Sequence, residues 1–184
     1  MKVWRVVPLD RKAEPESPGG ALWIARHFQG AGRHDNPETY GCMYLSENPV
    51  SAIAEHLSPF RGTGQLLDSM LTKIGLPLTL ITIELGEEAE LLDLDDPAVL
   101  GANSLKPSRV ATRHRNETQT QAATLFENHP AAAGLRWWST LEASWINLTI
   151  FDRGQTNLEV IEITTLAVTD PFVNEAAEFM GLRI

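Results

Sequence analysis

At 184 residues, 43% apolar and 21% charged, the chain has the length and composition of one soluble globular domain that needs no metal or disulfide staple. A net charge of −9 excludes nucleic acid as the main partner, because phosphate backbones require a basic surface, and leaves room for a basic protein partner. One cysteine, Cys42, excludes an internal disulfide framework, and no stretch reaches the ~20 apolar residues of a signal core or membrane span, so a cytoplasmic, membrane-free protein is expected.

In chain order, VWRVVP (Val3 to Pro8) is β-branched and aromatic and predicts a strand. The polar DRKAEPESPGG that follows is a turn-rich loop, and ALWIARHF predicts a short helix. CMYL predicts a short strand; NPVSAIAEHL predicts a helix with Asn48 at the cap and Pro49 in the first turn. GQLLDSMLTKIG puts Leu67, Met70, Leu71 and Ile74 on one helical face and stops at Gly75. LTLITIEL and AELLDL read as strands, and the Arg-rich stretch from Asp95 to Arg115 reads as a mobile loop. RNETQTQAATLFEN predicts a helix, SWINLTIF and LEVIEITTLAV predict strands, and PFVNEAAEFMGL a closing helix. Without a regular strand–helix–strand rhythm the fold class is α+β, with a mixed, mostly antiparallel sheet in a single domain over 1–184.

Three side chains draw notice between Gly30 and Leu57: Arg33 in a Gly-bounded loop, Tyr44 on the short strand and Glu55 on the helix. In CMYL, Tyr44 shares a face with Cys42, opposite Met43 and Leu45. On the helix, Val50, Ile53 and Leu57 form the apolar stripe, and Glu55 lies opposite it. Each has an ordinary alternative: a solvated carboxylate for Glu55, a half-buried strand aromatic for Tyr44, and a loop cation holding a carbonyl or carboxylate for Arg33. Together the three would suit a ligand with phosphate, an aromatic ring and a centre that becomes cationic.

Other motifs fail. RHFQGAGRH fits neither a phosphate-binding loop nor the dinucleotide fingerprint. The five histidines have no metal-ligand spacing, and GLRWWST lacks the spacing of a nucleophile elbow. Trp137 and Trp138 read as core plus pocket wall.

Several blocks, in order, resemble the RES domain family. They are VWRVVP, the run GAGRHDNPETYGCMYLSENPVSAIAEHL, TQTQAATLF, and GLRWWSTLEASWINLTIFDRG. Together they span most of Val3 to Gly154 and leave residues 155–184 as a structural strand and helix. The resemblance implies an ADP-ribosyltransferase-like fold and makes Arg33, Glu55 and Ser139 the naming Arg–Glu–Ser set, with Arg5 and Tyr44 as further site residues. Arg26 competes with Arg5 as an upstream phosphate contact. His34 stands where the family more often has tryptophan or tyrosine, and Pro37–Tyr40 adds residues before Tyr44.

The resemblance further implies the toxin of a toxin–antitoxin pair that degrades NAD+, as substrate and with no other cofactor or metal. Glu55 would stabilise an oxocarbenium-like ribose and Arg33 and Arg5 would hold pyrophosphate, with Tyr44 facing the nicotinamide ring. Ser139, without a histidine base, would hydrogen-bond rather than attack. The implied partner is an Xre-like helix-turn-helix antitoxin, and a homodimer is compatible. A transferase that modifies a protein or small molecule, and a non-catalytic family member, are the alternatives.

Overall fold

The computed structural model describes all residues, Met1–Ile184. In chain order its elements are β1 (Lys2–Pro8), β2 (Cys42–Ser46), α1 (Pro49–Leu57), β3 (Thr72–Lys73), β4 (Leu76–Leu85) and β5 (Leu91–Asp93). There follow α2 (Pro97–Ala102), α3 (Pro107–Val110), α4 (Arg115–Asn128), β6 (Gly134–Trp138), β7 (Ile146–Phe151), β8 (Leu158–Thr165) and α5 (Pro171–Phe179). The class is α+β and the strand pairing mixed: four of the registered pairs are antiparallel, and only β5 with β6 is parallel. The chain forms two compact units, each from separated stretches. Met1–Trp23, Ser46–Glu84 and Glu159–Ile184 make the first; Ile24–Leu45 and Leu85–Leu158 make the second.

In the first unit β4 pairs with β1, β3 and β8. Its run LPLTLITIEL is buried almost throughout, as a strand covered on both faces must be. α1 packs on β1 and on α5. The cap of α1 is the one its sequence predicts, with Asn48 Oδ1 accepting the Val50 N–H at 2.8 Å. Val50, Ile53 and Leu57 are buried, and Glu55 is exposed on the other side of the helix.

Two predicted helices are absent. GQLLDSMLTKIG is a 3-10 turn over Asp68–Leu71 followed by β3, and of its four apolar positions only Leu71 is buried among Leu67, Leu71 and Ile74. Gly75 ends no helix. Ile74 and Gly75, at φ 50° and 77°, are the two-residue loop of the β3–β4 hairpin, a turn that demands positive φ at both positions. ALWIARHF forms turns and a 3-10 helix over Arg26–Phe28. Arg5 Nη1 takes the carbonyls of Ala21 at 3.0 Å and Trp23 at 3.4 Å, which an α-helix would have used along its own axis.

In the second unit the strand order is β2–β7–β6–β5. Its core joins Cys42, Leu135, Trp137 and Phe151 with Leu125 of α4, and Tyr44 packs against it on the Cys42 side, as strand alternation predicts. α4 runs over Arg115–Asn128, the limits read from the sequence. The stretch from Asp95 to Arg115 is not a structureless loop: it holds α2 and α3, each opened by a proline, and Asp96 caps α2 through the Ala98 N–H at 2.8 Å.

Candidate functional site

The loop Gly30–Asn36 organises the second unit's polar cluster. Asp35 is its hub: one carboxylate oxygen accepts the N–H groups of Gly30 and Gly32 at 2.8 and 2.7 Å, and the other accepts the Tyr44 O–H at 2.7 Å. The Tyr44 oxygen in turn accepts the His34 N–H at 2.8 Å. Position 32 has room for nothing larger than glycine, because a Cβ there would stand 2.5 Å from both Asp35 Oδ1 and the Tyr44 oxygen. Burial first, with the charges of Cys42 and Asp35 behind it, holds the Tyr44 phenol well above its ordinary pKa. Tyr44 therefore stays protonated with its one donor spent on Asp35, and its ring face is what it has to offer a ligand.

α4 holds the same loop from its side. Gln119 donates to the carbonyls of Gly30 and Gly32 at 3.0 and 2.8 Å, and Thr118 donates to the Arg33 carbonyl at 2.6 Å. The added residues Pro37–Tyr40 are integrated as well. Tyr40 is fully buried against Phe126 and Phe151, and its hydroxyl donates to the His34 carbonyl at 2.6 Å.

Arg33 is only 4% exposed. Its Nη1 donates to the carbonyls of Val110 at 3.0 Å and Thr112 at 2.7 Å, and the guanidinium lies 5.0 Å from the centre of the Trp137 ring. The carbonyl-holding alternative is thus realised: Arg33 clamps the chain between α3 and α4. His34 packs its ring near-parallel to Tyr44, centroids 6.5 Å apart, and edge-on to Trp137 at 5.1 Å. Burial, reinforced by Arg33 and Arg115, drives its pKa down to about 3, so the ring is neutral.

Arg33, His34 and Tyr44 are therefore brought together, with Trp137, in one unit. Ser139 follows β6 in the same unit, buried, its hydroxyl oxygen accepting the Leu141 N–H at 3.1 Å. Arg26 donates to the Pro37 carbonyl and pairs with Asp152 at 3.6 Å, which makes it a tether of that stretch. Arg5 and Glu55 belong to the first unit. Burial lowers the Arg5 guanidinium to about 10, which leaves it charged at neutral pH. Sequence reading missed Asp35, Tyr40, Thr118, Gln119 and Thr149. The one signal for them was the run TQTQ, whose Thr118 is 1% exposed in a helix with little apolar surface. No group of three or more His, Cys, Asp or Glu side chains is placed to hold a metal ion, and no helix is long and apolar enough to cross a membrane.

An α+β chain whose arginine loop, strand tyrosine and helix glutamate fall on the expected elements is of the kind that the sequence blocks resemble. The family model described as "RES domain" matches residues 2–170, and the chain belongs to the RES domain family. No curated protein matches it. Among solved structures, it is similar to a chain of the crystal structure of the M. tuberculosis MbcT–MbcA toxin–antitoxin complex, with a TM-score of 0.64 and 18% identity. That likeness covers 99% of this chain and 88% of the other, and at this identity it bears on the fold.

Proposed function

We propose that this chain is the toxin of a toxin–antitoxin pair and that it degrades NAD+. The observation that carries the reading is the family match across residues 2–170, which includes every residue named above as a site residue. The similarity in fold to a chain from a toxin–antitoxin complex supports the partner half of the reading.

The chemistry follows from the substrate. The nicotinamide–ribose bond breaks with its electron pair going to the positively charged ring nitrogen, so nicotinamide leaves neutral and the ribose takes on oxocarbenium character. A carboxylate stabilises that charge, the part proposed for Glu55, which lies off the apolar stripe of α1 and is exposed. Water, losing a proton, then gives ADP-ribose; inorganic phosphate gives ADP-ribose phosphate. The Tyr44 and His34 rings supply a flat apolar wall for a planar ring, and arginines (Arg33 and Arg5) are the side chains suited to pyrophosphate. The antitoxin, an Xre-like helix-turn-helix protein in this reading, would cover the site through a segment bearing a carboxylate or chain terminus.

The test is direct. Pure protein is incubated with NAD+, with and without phosphate, and nicotinamide and ADP-ribose products are separated by chromatography. Free ADP-ribose or its phosphate is expected. ADP-ribose attached to a macromolecule would favour the transferase instead, and intact NAD+ would refute the enzyme. Expression alone should lower cellular NAD+ and arrest growth, and co-expression with the neighbouring gene's product should relieve both; harmless expression of active protein would refute the toxin.

A further inference from the structure

His34 departs from the family's usual aromatic residue, and the structure gives the imidazole a defined proton. Its Nδ1 lies 2.8 Å from Thr149 Oγ1, and the same hydroxyl oxygen lies 3.1 Å from Trp137 Nε1. An indole N–H can only donate, so the Thr149 oxygen is the acceptor in that contact. Thr149 is 0% exposed, and its side-chain hydrogen bonds are these two. A sealed hydroxyl proton left without an acceptor is costly, and the only acceptor within reach is His34 Nδ1. Thr149 therefore donates to Nδ1, and the single proton of the neutral ring sits on Nε2.

Nε2 makes no hydrogen bond, yet it is not completely sealed from solvent. The ring around it is only 3% exposed. A buried ring fixed on three sides, by Thr149, Tyr44 and Trp137, thus presents one unpaired N–H donor and no acceptor. The imidazole keeps aromatic company, Tyr44 near-parallel to it and Trp137 edge-on, surroundings that suit a flat ring. The donor itself suits an oxygen on that ring's edge.

Resting on the NAD+ reading, we infer that His34 is a specificity residue whose Nε2–H donates to the carboxamide oxygen of the nicotinamide ring. A donor without an acceptor orients the carboxamide with its oxygen, and not its NH2, toward His34. A tryptophan or tyrosine at this position would contribute ring contact with a different polar reach. The Thr149–Trp137 pair fixes this choice from behind without touching the ligand.

Two measurements test this. The first is nitrogen NMR of protein labelled with 15N-histidine, at neutral pH, using His34→Phe to identify the resonances. Nδ1 of His34 should appear unprotonated and Nε2 protonated; the reverse pattern overturns the assignment. The second compares turnover of NAD+ with that of its thionicotinamide analogue, whose sulfur is a poor acceptor. His34→Phe should lower kcat/KM for NAD+ by about tenfold, the worth of one hydrogen bond, and change the analogue by less than about threefold. Equal losses on both substrates would place the contact elsewhere, on a phosphate for instance, and overturn the carboxamide assignment.

If His34→Phe does not fold, Thr149→Val serves in its place. It should mix the two tautomers and lose part of the preference for NAD+; unchanged spectra and preference would overturn the inference. Wild-type protein that releases nicotinamide from neither dinucleotide overturns the NAD+ reading and the ligand named here. The tautomer measurement, independent of turnover, separates that failure from an error about His34 itself.

Discussion

Replacing Arg33 by alanine removes a guanidinium that is 4% exposed and spans two backbone carbonyls. Those of Val110 and Thr112 sit 77 and 79 residues away in the chain, so this one side chain holds a long-range contact. Hydrogen bonds from a charged donor contribute ~1.5–3 kcal/mol each, and the stacked contact on Trp137 adds ~0.5–1 kcal/mol. Against this, alanine no longer needs to keep a cation out of water, which returns part of the gain. The net expected loss is about 2–4 kcal/mol. For a chain of this size that lowers Tm by roughly 5–15 °C. Amide hydrogen exchange should rise selectively between α3 and α4, since the clamp acts there. Arg33→Lys should recover part of the loss, because an ammonium can reach a carbonyl but does not stack as a planar fork does. Melting within about 1 °C of wild type, with unchanged exchange around Val110–Thr112, would refute the clamp and leave Arg33 with no structural part.

Asp35→Ala should destabilise by about 2–4 kcal/mol, since it strands two backbone N–H groups and the Tyr44 O–H; Asp35→Asn should cost less, about 1–2 kcal/mol, because its amide oxygen still accepts from the loop and only the Tyr44 O–H loses its acceptor. Equal urea midpoints for the three proteins would contradict the hub. Glu55→Gln should abolish nicotinamide release while moving stability by less than about 0.5 kcal/mol, because the side chain is exposed and off the core stripe; retained turnover would remove Glu55 as the catalytic carboxylate. Acid should weaken the fold through two histidines. Burial, then Lys73, lowers His56 to about 4, and burial with Arg33 and Arg115 lowers His34 to about 3. Both lie below the ~6.5 of the unfolded chain, so the unfolded state binds protons first and stability falls as pH drops from about 6.5 toward those values. Each should contribute a loss of roughly 1–2 kcal/mol by pH ~5, measured by denaturant titration. A His56→Gln protein with the same pH slope as wild type would rule out the His56 share.

The sequence by itself determined what depends on neighbours in the chain. The cap and stripe of α1, the limits of α4, the strand nature of β4 and the shared face of Cys42 and Tyr44 all follow from composition, period and capping, and all are found. The order of motif blocks was likewise legible, and the family match spans them. Tertiary structure decided the rest. A glycine after an apolar run ends a helix or turns a hairpin, and only the pairing of Thr72 with Pro77 and Lys73 with Leu76 selects the hairpin for Gly75. The carbonyls of ALWIARHF left the helix because Arg5, 16 to 18 residues earlier, takes two of them. Asp35 could be read as a loop acid, and its work as hub depends on Tyr44 arriving from β2. The proton on His34 is decided furthest away, by a threonine 115 residues later that is itself committed by an indole from β6. A hydrogen-bond donor or acceptor carries no mark in sequence of which partner it will meet, and burial makes that partner obligatory only once the chain has folded.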